Sequence, residues 1–171
     1  MPEQFVTFSF WDWQIGTAGD AANLAKQIKA MGYNGADITF RWTRLEYTRG
    51  DYGFRYIDAI LDAFAEEDLF LSTSLMFWSI GLPWAEEIEW QKLPDGRIYE
   101  FSGRGASPSL SDPDTVKAMT DAFDAFSAHV YERYGDRLFR MHARTSQYGE
   151  LEYFCDAGGV LDYGEPAIAA F

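Results

Sequence analysis

Short runs of β-branched and aromatic residues alternate along the chain with longer segments whose apolar residues recur every three or four positions. The short runs are typical of β-strands and the longer segments of amphipathic helices. Four strands are predicted, over Phe5 to Trp11, Gly35 to Trp42, Leu69 to Phe77 and Leu138 to Thr145.

The segments between these strands carry the start and stop signals of helices. Asp20 is a candidate N-cap, Gly32 follows the first segment as a C-terminal glycine, and Pro113 stands after a Ser or Asp cap at a first helical position. Helices are predicted over Ala21 to Met31, Phe54 to Asp68 and Pro113 to Tyr134, with a further helix starting within Asp162 to Phe171.

Strands that alternate with helices at this spacing favour parallel pairing through right-handed crossovers. A doubly wound open sheet and part of a (β/α)₈ barrel both fit this order. The segment Ile15 to Gly19 lacks the spacing of a nucleotide phosphate loop, which weakens the nucleotide-binding interpretation. We therefore predict an α/β fold, the N-terminal half of a TIM barrel with about four β/α units.

A complete barrel takes about 250 residues, whereas the four predicted strands already extend to Thr145 of this 171-residue chain. Residues 1–171 are therefore interpreted as a single partial barrel, a catalytic domain truncated at its C-terminal end. The long irregular stretch from Trp78 to Asp112 is interpreted as functional loop.

The composition adds two constraints on function. Aromatic residues make up 18% of the chain, which suits either a large aromatic core or a carbohydrate groove lined by flat rings. The net charge of −13 opposes binding to nucleic acid or to an anionic membrane.

Disulfide, metal and targeting signals are weak. Cys155 is the single cysteine, so no internal disulfide is possible, and with His129 and His142 alone a zinc site is not expected. The N-terminus lacks the features of a signal peptide, and no apolar run approaches the length of a membrane span. We expect a cytoplasmic protein without a cofactor or metal.

In a (β/α)₈ barrel the chemistry lies at the carboxyl ends of the strands. That rule selects polar and aromatic residues directly after each predicted strand, before any motif is considered. The selected residues are Trp11, Asp12 and Trp13 after the first strand, Arg41, Trp42, Arg44 and Glu46 after the second, Trp78, Ser79 and Trp84 after the third, and Gln147, Tyr148, Glu150, Glu152 and Tyr153 after the fourth.

Glycoside hydrolysis uses two carboxyl groups, one of them an acid with a raised pKa. Glu150 suits that role because the aromatic residues Tyr148 and Tyr153 could desolvate it, and Glu152 is its rival on the same face of an extended segment. The alternative for Glu150 is an exposed loop glutamate.

Candidates for substrate binding are the tryptophans and two arginines. Trp11, Trp13, Trp42, Trp78 and Trp84 could stack on sugar rings or fill the core. Arg41 and Arg104 could donate to sugar hydroxyls or form surface ion pairs, and His142 is interpreted as structural.

At this point the sequence resembles a known group of enzymes. The residues Trp42 to Glu46 and Gly50 to Phe54 resemble the signature W-x-x-L-E-P-x-x-G-x-Y-D-F after strand two of barrel glycosidases, most like glycoside hydrolase family 42, the β-galactosidases. Leu82 to Trp84 is similar to the P-x-W loop of that family. Asp95 to Arg97, Gly103 to Arg104 and Ser109 to Pro113 resemble its next loop.

The resemblance departs at the catalytic acid. Family 42 ends strand four with Asn-Glu-Tyr-Gly, whereas the matching residues here place Gln147 at the glutamate position. Shifting the alignment by three residues brings in Glu150, within Gly149 to Tyr153, a string similar to the G-E-L-R-Y acid-site segment of β-amylases. The resemblance also implies a nucleophile near strand seven, outside this chain.

The sequence thus predicts a β-galactosidase-like O-glycosidase with a carbohydrate substrate, Glu150 as the acid/base and activity only in the full-length protein. Two alternatives are a carbohydrate-binding pseudoenzyme, suggested by Gln147, and a half-barrel that self-associates or pairs with the missing half.

Overall fold

A computed structural model of the chain describes residues 4–78, 81–100, 105–145 and 162–170. Its centre is a four-stranded parallel sheet of β1 (Thr7–Trp11), β2 (Gly35–Arg41), β5 (Phe70–Met76) and β6 (Leu138–Arg144), in that spatial order. The order follows the chain without reversal. A doubly wound sheet reverses its strand order, so this arrangement favours the barrel alternative.

Three helices connect the strands and cover one face of the sheet: α1 (Ala18–Ala30), α3 (Arg55–Glu66) and α4 (Pro113–Tyr134). Phe10 of β1 packs against Phe64 of α3, with ring centroids 5.2 Å apart, and Phe40 of β2 packs against Phe126 of α4 at 6.2 Å. Because side chains alternate along a strand, these contacts assign the even-numbered residues of β1 and β2 to the helix-covered face.

The predicted helix boundaries are close to those observed, with one correction at the first helix. Asp20 is not the N-cap: Thr17 is, and its hydroxyl oxygen accepts a hydrogen bond from the backbone N–H of Asp20. The carboxylate of Asp20 in turn accepts from the Thr17 hydroxyl at 2.8 Å. Asp112 caps α4 and Pro113 opens it, as predicted.

The segment after β2 is more ordered than the polar loop that its sequence predicts. Trp42 leaves the strand and begins a short helix, α2 (Trp42–Leu45), which runs into a two-stranded hairpin of β3 (Glu46–Thr48) and β4 (Asp51–Tyr52). Gly50 makes the turn with φ of +77°, a conformation that glycine adopts without strain.

The described part of the loop between β5 and α4 folds onto itself. It contains a 3-10 turn over Ala85–Glu87 and two isolated antiparallel bridges, Trp90 with Pro108 and Lys92 with Ile98. The last helix, α5 (Glu165–Ala170), follows residues 146–161. In the described part of the chain, no helix is both long and apolar enough to cross a membrane.

Candidate functional site

The face of the sheet that points away from the helices, here called the inner face, is polar rather than aliphatic. Pairing aligns Ser9, Asp37, Ser72 and Arg140 across the four strands at one level. Asp37 is the centre of this row, because its carboxylate accepts hydrogen bonds from Ser9, Ser72 and Arg140. Barrel interiors are usually filled by branched aliphatic residues, so a row of serine, aspartate and arginine side chains differs from the usual barrel interior.

The hydrogen-bond donors around Asp37 stabilise its ionised form. Burial disfavours the carboxylate, but the hydrogen bond from Ser72, the charge of Arg140 and the hydrogen bond from Ser9 outweigh that effect, so the pKa of Asp37 lies below its ordinary value. Arg144, four residues further along β6 on the same face, comes within 3.7 Å of the same carboxylate.

At the carboxyl ends of β1 and β2 a second buried carboxylate meets two arginines. Asp12 follows β1 directly and is 0% exposed. Its Oδ1 lies 2.9 Å from Nε of Arg41, the last residue of β2, and its Oδ2 lies 3.6 Å from Nε of Arg44. Burial raises the pKa of Asp12, and the two guanidinium charges offset that effect only in part. Asp12 therefore positions Arg41 and Arg44 rather than meeting a ligand itself.

Two tryptophans extend this group. The rings of Trp11 and Trp13 stack with their centroids 4.6 Å apart. The guanidinium carbon of Arg41 lies 5.5 Å from the ring centre of Trp13. The guanidinium carbon of Arg144 lies 5.6 Å from the ring centre of Trp11. Six residues thus form what we call the arginine–tryptophan cluster: Trp11, Asp12, Trp13, Arg41, Arg44 and Arg144. Trp13 is 47% exposed, so the cluster is open to solvent.

The structure separates the remaining tryptophan candidates from this cluster. Trp42 and Trp84 are buried and pack edge to face at 5.1 Å, so as placed they are core residues with no face for a sugar. Trp78 is 9% exposed, and its Nε1 has no hydrogen-bond partner among the described residues. The candidates Arg104, Gln147, Tyr148, Glu150, Glu152 and Tyr153 lie outside the described residues, as does Ser79.

Glu46, one of the strand-end carboxylates, has a structural role. It is 2% exposed, and its two oxygens accept hydrogen bonds of 2.6 Å from Trp42 Nε1 and from the backbone N–H of Gly50. The hydrogen bonds among the Trp, Glu and Gly positions of the sequence signature therefore join α2 to the β3–β4 turn. Glu46 does not present its carboxyl group to a ligand.

Three participants were not selected from the sequence. Arg144 ends β6 as Arg41 ends β2, so the strand-end rule that selected Arg41 would also have selected Arg144 had it been applied in the same way to the fourth strand. Asp37 is an acidic residue in the middle of a predicted strand, which was an available signal. Tyr56 of α3 donates its hydroxyl to the carbonyl oxygen of Asp12 at 3.0 Å, and its ring lies 4.6 Å from the Arg44 guanidinium carbon. No feature of the sequence indicated that contact.

No protein-family model matches the sequence, and no curated protein sequence matches it either. Solved structures do. A β-galactosidase from the psychrophilic Marinomonas ef1 superimposes with a TM-score of 0.64 at 15% identity, over 98% of this chain and 24% of that one. The catalytic domain of a Paenibacillus polymyxa β-amylase gives 0.69 at 16% identity, over 97% and 45%.

An exo-β-1,4-mannosidase from Opitutaceae bacterium strain TAV5 also matches, with a TM-score of 0.57 at 18% identity over 80% of this chain and 24% of that one. The chain therefore has an α/β fold with a parallel sheet, and these neighbours among solved structures are glycoside hydrolases. This chain spans about a quarter to less than half of the length of these three structures. Among the residues that the structure describes, no group of three or more His, Cys, Asp and Glu side chains forms a metal site.

Replacing Glu46 by glutamine tests the structural role of this glutamate. The amide group of the introduced glutamine would face one of two N–H donors, so one buried hydrogen bond is lost and the free energy of unfolding falls by about 1–3 kcal/mol. Urea unfolding followed by circular dichroism measures the change. Glu87→Gln is the control, because that glutamate is exposed and ion-paired with Arg49 at the surface, and we expect less than about 0.5 kcal/mol. Equal stability of the two variants would contradict the role.

His142 gives the stability of the protein a pH dependence. Its Nε2 accepts a hydrogen bond from Arg144 Nε at 3.1 Å, which requires a neutral ring. Burial, together with the charges of Arg144 and Arg140, lowers the pKa of His142 below 6.5. The unfolded chain therefore takes up a proton as pH falls below about 6.5 while the folded chain resists it, so the folded state loses stability on acidification.

The comparison of wild type with His142→Gln isolates this effect, because glutamine keeps an acceptor but does not titrate. From pH 8 to pH 5 the stability of wild type relative to the variant should fall, by at most about 1.4 kcal/mol per pH unit. Urea unfolding at each pH provides the measurement. A difference between the two proteins that stays constant over this range would refute the assignment.

Proposed function

We propose that this chain supplies the first β/α units of a β-galactosidase-like glycoside hydrolase that cleaves O-glycosidic bonds with two carboxyl groups. The observation that supports this most is the arginine–tryptophan cluster at the carboxyl ends of parallel strands, which is where barrel enzymes carry their chemistry. The similarity to solved glycoside hydrolases supports the fold on which the proposal depends.

In this proposal Glu150 is the acid/base. It follows β6 in the chain, and β6 ends beside the cluster at Arg144. The neighbouring Tyr148 and Tyr153 would favour its protonated form by desolvation. Glu152 is the alternative donor. Gln147, at the position that family 42 gives to its acid, cannot donate the proton.

Sugar binding is assigned to the exposed part of the cluster. Trp13 offers a large aromatic surface, and Arg41, fixed by Asp12, has terminal nitrogens with which to orient sugar hydroxyls. Arg104 would act beside them. The second carboxyl group would come from later strands, so we expect hydrolysis from the complete barrel and none from residues 1–171 alone.

The decisive variant is Glu150→Gln in the complete gene product. Removing the proton donor should lower turnover of a nitrophenyl β-glycoside by at least about a hundredfold, in a panel that includes the β-galactoside. Glu152→Gln is the matched control and should keep activity near that of wild type. Unchanged turnover in Glu150→Gln would exclude it as the acid, and loss in Glu152→Gln alone would transfer the role.

A second candidate function is carbohydrate binding without hydrolysis, and the observation that favours it is Gln147 at the expected acid position. In that case sugars quench the fluorescence of the cluster tryptophans while the same nitrophenyl panel shows no turnover. Any hydrolysis by the purified protein that Glu150→Gln abolishes would exclude this candidate.

The partner that completes the sheet is also a proposal. Within the described part of the chain, β1 pairs only with β2 and β6 only with β5, so each has one open edge. Such edges attract further strands. We expect residues 1–171, produced alone, to sediment as a dimer or larger species, and the complete barrel to sediment without this association. A well-folded monomer of residues 1–171 would contradict the expectation.

A further inference from the structure

The charge of the cluster is opposite to that of the whole chain. The net charge of the protein is −13. On the inner face and at its carboxyl end, however, four guanidinium groups share two carboxylates: Arg41 and Arg44 share Asp12, and Arg140 and Arg144 share Asp37. Counted over these six groups alone, four positive and two negative charges leave an excess of two positive charges. An acidic protein that concentrates cations in one place is arranged to attract anions there.

The arginines also keep hydrogen-bond donors for a ligand. Arg41 reaches Asp12 through Nε alone, at 2.9 and 3.3 Å, and Arg144 uses its Nε on His142. The side chain of Arg44 is 44% exposed and contacts Asp12 as an ion pair at 3.6 Å, without a hydrogen bond to a described residue. The terminal nitrogens of Arg41 and Arg44 therefore make no hydrogen bond to a described residue, and Nη2 of Arg144 is held only by the 3.7 Å ion pair with Asp37. Paired terminal nitrogens match the two oxygens of a carboxylate or the oxygens of a sulfate.

The donors are held rigidly enough to select a ligand. Asp12 is inaccessible to solvent and fixes Arg41, and the ring of Tyr56 supports the Arg44 guanidinium. Trp11 lies beside Arg144 in the same way. A fixed guanidinium loses less conformational entropy when it binds an anion than an exposed lysine would.

We propose that the arginine–tryptophan cluster binds a sugar that carries an anionic substituent, a uronate carboxylate or a sulfate ester, with Arg44 and Arg144 as the residues that determine this specificity. The proposal rests on the carbohydrate function proposed above and names its substrate class. The competing explanation is that the arginines serve carboxylates of the protein itself, in which case a neutral sugar would bind as well as an anionic one.

Three matched probes distinguish these explanations: methyl β-D-galactoside, its 6-sulfate, and the methyl β-glycoside of D-galacturonic acid. They differ only at carbon 6, and the corresponding gluco series covers the other common stereochemistry. Binding to the complete gene product is followed by tryptophan fluorescence. We expect at least one anionic probe to bind about tenfold more tightly than its neutral counterpart, as one charged hydrogen-bonded pair provides, and the better of the two identifies the anion.

Variants identify the residues that cause the preference for an anionic sugar. Arg44→Gln and Arg144→Gln should each lower the ratio of anionic to neutral affinity severalfold, whereas Arg44→Lys should retain part of that ratio. Arg137→Gln is the control, since Arg137 precedes β6 at the opposite end of the sheet and pairs with Asp68. Arg44 is exposed, so its variant is expected to fold even if the Arg144 variant does not.

The outcomes separate the two proposals. Equal affinity for neutral and anionic sugars overturns the anionic specificity and leaves the carbohydrate function standing. A preference that survives in both glutamine variants also overturns it, because the anion is then bound elsewhere. Failure of every probe to bind overturns the carbohydrate function and this inference with it.

Discussion

A carboxylate that solvent does not reach joins the first two strands at their carboxyl ends. Burying a charge costs several kcal/mol unless a partner compensates it, so Asp12 requires Arg41 to remain where it is. That requirement fixes the end of β2 against the end of β1 and holds the guanidinium near the exposed Trp13. The same carboxylate attracts Arg44, whose guanidinium lies by Tyr56 on α3. Strand ends, helix layer and exposed aromatic surface thus depend on one ion pair.

The regular part of the fold could be predicted because its signals are local. Pro113 after an acidic cap, and the three- to four-residue spacing of apolar side chains, specify a helix without reference to the rest of the chain. The helix cap at Thr17 was missed because Thr17 and Asp20 are both good caps, and only the direction of the incoming chain decides between them. The hairpin after β2 was missed because its strands are two and three residues long, too short to show alternation.

The site was predictable in part, for a reason of geometry. Parallel strands in chain order bring their carboxyl ends together, so Asp12 and Arg41 could be placed near one another from the sequence alone. The sequence could not show which tryptophans face outward, because Trp13 and Trp42 both lie within two residues of a strand end and only the path of the next few residues distinguishes them. Trp42 turns into α2 and is buried, while Trp13 remains exposed. The row around Asp37 depends on strand register, which no single segment encodes.

The buried glutamate of the hairpin has a consequence for how sequences of this kind are interpreted. The Trp42, Glu46 and Gly50 positions carry much of the resemblance to sugar hydrolases, yet their contacts with one another are those of a folding device. These contacts stabilise the fold whether or not a catalytic acid is present. A signature of this type therefore indicates an architecture, and evidence for chemistry has to come from side chains that a ligand can touch.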